Sequence, residues 1–123
     1  MTKRNIVHIE ISASNLDASA KFYQELFGWN KTPMPEMNYM IFDPGVSPGG
    51  GFTPVSEEYP AGTVLIYIAS DDIEADLARV NSLGGKVLRS RTEIPGVGWF
   101  GIFTDPVGNR IALYTSVDPE FNQ

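Results

Sequence analysis

A displacement of 57 positions, the distance from Leu16 to Ile73, lays the first half of this chain on its second half. It also places Ala18 on Ala75, Leu26 on Leu83 and Gly28 on Gly85. A chain that repeats itself at this spacing is restricted to two copies of one local fold packed together, because neither copy is long enough to bury much core alone. Each copy opens with period-two alternation, in which Val7, Ile9 and Ile11, and then Val64, Ile66 and Ile68, form one apolar strand face. A helix follows each strand. The first is expected to start near the Ser14/Asn15 cap and to carry Leu16, Ala20, Tyr23, Leu26 and Phe27. The second starts near Asp71/Asp72 and carries Ile73, Leu77, Val80 and Leu83. Glycines close both, Gly28 in one and Gly84-Gly85 in the other.

Three extended stretches come next in each half, at about 29–33, 38–43 and 50–54 and at about 86–92, 97–104 and 109–116. Asp43-Pro44 and Asp105-Pro106 precede the last strand of each set, where a proline ends pairing by removing a donor. The order is βαβββ twice, an α+β arrangement. Module one spans about 5–54, a linker with Pro60 and Gly62 covers about 55–62, module two spans about 63–116, and 117–123 form a tail. A chain of 123 residues holds these as one domain.

Composition narrows the function classes. The chain has no cysteine, so disulfides, thiolate metal sites and cysteine nucleophiles are excluded, and a reducing, cytoplasmic location is expected. No segment reads as a signal sequence or a membrane span, and the sequon Asn30-Lys31-Thr32 is then without consequence. A net charge of -6 without a Lys/Arg stripe argues against nucleic acid and leaves a small molecule as the expected partner. Two motif matches lack their structural context. Gly45-Val46-Ser47-Pro48-Gly49 fits the nucleophile-elbow pattern, but a proline and glycines follow the serine instead of a helix. Gly49-Gly50-Gly51 has no Lys-Ser/Thr after it to make a phosphate loop, and reads as a loop feeding a bulged strand with room for a ligand.

Phe22-Tyr23-Gln24-Glu25-Leu26-Phe27-Gly28-Trp29 and Phe103-Thr104-Asp105-Pro106-Val107-Gly108-Asn109 resemble the first-helix signature and the penultimate turn of the vicinal-oxygen-chelate (glyoxalase/bleomycin-resistance/dioxygenase) superfamily. The resemblance covers about residues 5–116. Thr92-Glu93-Ile94-Pro95-Gly96-Val97-Gly98-Trp99-Phe100 further resembles a subgroup described as predicted lactoylglutathione-lyase-related proteins. The resemblance implies a curved eight-stranded mixed sheet around a cavity, commonly completed in a homodimer. It also implies a divalent metal held from the first and last strand of each module, at His8, about Gly51, Leu65 and Ala112. Of these only His8 has a donor atom, against the roughly three protein ligands a catalytic metal needs. No metal and no other cofactor is therefore expected.

Strand parity names the remaining cavity candidates, since residues two apart face the same way. Glu10 shares a face with His8, Tyr67 with Leu65, and Arg110 and Tyr114 with Ala112, while Phe52 and Trp99 are expected near the rim. Each has a plainer reading: Glu10 and Arg110 as a neutralised ion pair, and His8 as a relic ligand bonded to a strand neighbour. Two functions fit these residues. One is metal-free binding of an aromatic or cationic small molecule, and the other a metal-independent lyase or isomerase with His8 or Glu10 as proton shuttle and Tyr67 or Arg110 stabilising an oxyanion.

Overall fold

A computed structural model describes residues 3–118 of the chain. The elements run β1 (Ile6–Ala13), α1 (Leu16–Phe27), β2 (Asn30–Met34), a 3₁₀ turn (Pro35–Met37), β3 (Tyr39–Asp43), β4 (Gly49–Pro54), β5 (Val64–Ala69), α2 (Ile73–Ser82), β6 (Lys86–Ile94), β7 (Gly98–Thr104) and β8 (Arg110–Ser116). This is βαβββ twice, with the 3₁₀ turn as an addition that periodicity did not suggest. Pro35 begins it and Asn38 ends it in the left-handed region at φ 49°.

The described residues divide into two compact units, His8–Leu65 and residues 3–7 with 66–118. In the first half the strands are ordered β2-β3-β4-β1, and in the second β5-β8-β7-β6. β1 pairs with β4 in parallel and β5 with β8 in parallel, while β2/β3, β3/β4, β6/β7 and β7/β8 are antiparallel, so the sheet structure is mixed. Among the described residues no helix is long and apolar enough to cross a membrane.

Both helices begin where capping chemistry dictates. Asn15 accepts from the Ala18 amide and Asp72 from the Ala75 amide, each satisfying a donor that the first turn leaves open. Gly28 ends α1 at φ 76°, its N–H donating to the Gln24 carbonyl. α1 covers a core of Ala13, Ala20, Met40, Phe42 and Phe52, joined by Ile9, Ile11 and Tyr23. α2 covers Ile73, Leu77 and Leu113, joined by Ile68, Trp99 and Phe103. Each unit therefore has a helix-covered strand face and a helix-free one.

Candidate functional site

In the first unit, register puts His8 beside Gly49 and Glu10 beside Gly51 in the parallel β1/β4 pair, and Ile41 opposite Gly51 in the β3/β4 pair. Ile9 and Ile11 pack with the α1 core, so His8 and Glu10 belong to the helix-free face. Tyr39, two residues before Ile41, shares it. Its side chain crosses Gly51 and its hydroxyl lies 2.7 Å from Nε2 of His8, with the two rings stacked at 22°.

The glycine run of β4 permits this crossing. A β-carbon on Gly51 would lie 2.1 Å from the Tyr39 ring, and one on Gly50 would lie 1.9 Å from the Ile9 carbonyl oxygen and 2.4 Å from the Phe42 ring. One glycine admits an aromatic ring on each face. The room that Gly51 opens is thus filled by the chain's own tyrosine rather than left for a ligand, and the glycine triplet is the start of a strand, not a phosphate loop.

Burial lowers the His8 pKa to about 4, so the imidazole is neutral near pH 7 and one partner in the His8–Tyr39 pair donates while the other accepts. Glu10 is a buried carboxylate on the neighbouring helix-free position.

In the second unit Tyr67 pairs with Ala112, Phe100 with Tyr114, and Thr104 with Arg110, on the face opposite Ile66, Ile68 and Leu113. Tyr67, Arg110 and Tyr114 therefore share the helix-free face, as parity predicts. The Tyr67 and Phe100 rings are 6.5 Å apart, and the Arg89 guanidinium lies 5.4 Å from the Phe100 centroid. The Tyr114 hydroxyl donates to the Val97 carbonyl at 3.3 Å, and burial raises its pKa above the ordinary value.

Phe52 and Trp99 are corrections. Phe52 is fully buried against α1 and stacks on Tyr23 at 5.5 Å. It follows Gly51 directly, so parity turns it to the helix-covered side. Trp99 pairs with Thr115, out of phase with Tyr114, and joins the α2 core with Arg91 over its ring at 4.7 Å. Neither forms a rim on the helix-free face.

Tyr39, Phe100 and Arg89 were not expected there. Tyr39 was within reach of strand parity through Ile41 and Gly51, but required the β3/β4 register. Phe100 required the β7/β8 register. Arg89 was masked by irregularities in the β6 pairing on both sides of it, which break simple alternation.

The residues present do not fit the superfamily's metal. At the positions implied by the resemblance, Gly51, Leu65 and Ala112 carry no donor atom, Leu65 and Ala112 are buried, and the space over Gly51 holds Tyr39. No metal-dependent step can be built on them.

A family model of the Glyoxalase/Bleomycin resistance protein/Dioxygenase superfamily matches residues 5–113. A glyoxylase-like domain-containing protein of Didymella fabae is 34% identical, over 87% of this chain and 90% of its own length. A lactoylglutathione lyase of Haemophilus influenzae is 29% identical, over 86% of this chain and 88% of its own. The chain spans 44% of an anthracycline biosynthesis protein of Streptomyces peucetius, at 27% identity over 85% of this chain. Among solved structures, a methylmalonyl-CoA epimerase of Mycobacterium tuberculosis matches with a TM-score of 0.65 at 14% identity, covering 94% of this chain and 89% of that one. At such identity the likeness is one of fold.

Proposed function

Because the chain belongs to the Glyoxalase/Bleomycin resistance protein/Dioxygenase superfamily, we propose that it is a glyoxalase-like protein that captures a small molecule on the helix-free faces of its strands without a divalent metal. The observation that carries this reading is the His8–Tyr39 hydrogen bond across Gly51, a polar pair standing where a metal-ligand side chain would otherwise project. Phenol and imidazole offer a ligand directional hydrogen bonds in partly apolar surroundings, as small-molecule sites commonly do. Within the second unit, and considered by itself, the helix-free face carries Tyr67, Arg110 and Tyr114, side chains of the aromatic and cationic kinds that small-molecule sites use.

A reading as a metal-independent lyase or isomerase assigns proton transfer to His8 or Glu10. The lowered His8 pKa weighs against His8, since protonating it costs about 3 kcal/mol more than protonating an exposed histidine, far from the match that efficient general bases show. Glu10 is the stronger candidate base for that reading. The chain is proposed to be cytoplasmic, consistent with its lack of cysteine, and to work as a homodimer, which light scattering would show as twice 13.5 kDa.

The test is a thermal-shift screen of small organic molecules against the wild type, Tyr39→Phe and Tyr67→Phe. Hits that stabilise the wild type and lose most of their effect in one of the variants support the reading. Hits unaffected by both variants refute it.

A further inference from the structure

The two modules differ in how they fill the space between helix and strands. In the first unit Tyr23, on α1, and Trp29, just before β2, stack at 5.3 Å, and each also lies on a ring of the sheet, Trp29 on Phe42 at 4.6 Å and Tyr23 on Phe52 at 5.5 Å. The second unit repeats the frame. Phe103 pairs with Ile111 and Gly101 with Leu113, as Phe42 pairs with Gly50 and Met40 with Phe52, so Phe103 holds the place of Phe42 and Leu113 that of Phe52. Counted from the Asn15 and Asp72 caps, Val80 holds the place of Tyr23. Lys31 pairs with Phe42 and Val87 with Phe103, so Gly85, two residues before Val87, holds the place of Trp29. Neither ring has a counterpart.

A cavity of about 450 Å³ opens among these positions, lined by Ile68, Val80, Leu83, Gly85, Phe103 and Leu113. Its size and apolar lining are those of a small-molecule site. The charged groups that also line it, Arg4 and Arg79 with Asp76 and Asp105, are two of each sign and favour no net charge in an occupant. We infer that this cavity takes a flat, uncharged aromatic molecule of about two fused rings, stacked on Phe103 as the Trp29 ring stacks on Phe42. It lies on the helix-covered side of the strands, beside α2, and is a second site beyond the helix-free faces to which small-molecule capture is assigned above.

Nuclear magnetic resonance titration with 2-naphthol and with its saturated decahydro counterpart tests this, because the two share a carbon skeleton and a hydroxyl and only the first is flat. 2-Naphthol should bind at least about fivefold more tightly and shift the methyl signals of Ile68, Leu83 and Leu113. Val80→Tyr, which restores the ring that the first unit carries, should weaken 2-naphthol at least about tenfold without lowering the melting temperature, since it fills a cavity. Phe103→Leu, which removes the stacking partner, should weaken it roughly fivefold. Should Val80→Tyr fail to fold, Phe103→Leu decides. Equal affinity for the two compounds, unchanged 2-naphthol affinity in the variants, or shifts confined to Ile9 and Ile11 of the first unit would each overturn the inference. So would an absence of binding. The reading of the helix-free faces would survive any of these, because it is tested separately at Tyr39 and Tyr67.

Discussion

The Tyr39 ring occupies the space that a β-carbon on Gly51 would need, coming within 2.1 Å of that position, and this overlap frees the Tyr39 hydroxyl to reach His8. The two residues exclude one another: any side chain at 51 must displace the ring and break its hydrogen bond. Gly51→Ala should therefore destabilise the fold by roughly 1–3 kcal/mol, the usual cost of overpacking. The same substitution in a Tyr39→Ala background should cost less than about 0.5 kcal/mol, since coupled residues are non-additive. Urea unfolding of the four proteins measures both values, and equal costs in the two backgrounds would sink the exclusion.

His8 makes stability depend on pH in a predictable direction. Its folded pKa, lowered to about 4, lies below the 6.5 of an unfolded histidine, so between these values the unfolded chain binds the proton first. The stability attached to neutral His8 is complete above pH 6.5 and is lost as pH falls toward 4, by about 3 kcal/mol in all. The wild-type unfolding free energy minus that of His8→Gln should trace this loss in the same window. A flat difference would mean that His8 titrates normally in the folded state.

Elemental analysis provides a separate check on the site. With no donor at Gly51, Leu65 or Ala112, purified protein should carry far less than one equivalent of zinc, nickel, manganese or iron per chain. Chelator treatment should then leave its melting temperature unchanged. One tightly held ion per chain, lost in His8→Gln, would require another ligand set.

Much of the fold is written in local signals that do not depend on partners. The apolar alternation of Val7, Ile9 and Ile11, the Asn15 and Asp72 caps and the closing Gly28 each report short-range chemistry, and each lies where the structure uses it. Parity within single strands likewise places His8 with Glu10 and Tyr67, Arg110 and Tyr114 on helix-free faces. What parity cannot supply is register between strands. Tyr39 over Gly51 and Phe100 beside Tyr114 depend on which residues pair, and Arg89 depends on irregularities in β6 that reset the alternation. Phe52 and Trp99 are expected near the rim of the cavity, whereas the phase of their strands turns them into the cores beneath α1 and α2.

Outside the candidate site, Asp76 is the hub by which α2 holds the residues preceding β1. Arg4 donates to both its carboxylate oxygens at 2.8 and 2.7 Å and also to the Ala69 carbonyl at 3.1 Å, and Ser70 donates its hydroxyl to Asp76 at 2.7 Å. Arg4 is the more exposed partner, 54% against 22% for Asp76, so water screens much of the ion pair. Arg4→Met should consequently cost no more than about 1 kcal/mol. Asp76→Asn should cost more, about 1–3 kcal/mol, because Ser70 and Arg4 both lose a charged acceptor. The bond to Arg4 holds the Asp76 carboxyl below its usual 3.8, so this stabilisation is complete above that value and disappears as pH falls through the lower folded value. The Ala69 amide, which donates to the Asn5 carbonyl at 3.0 Å, reports directly on attachment of this segment. Its hydrogen exchange should accelerate in both variants at neutral pH, and in wild type only once acid has protonated Asp76. Unchanged exchange at Ala69 in Arg4→Met would show that the backbone bond alone secures the segment.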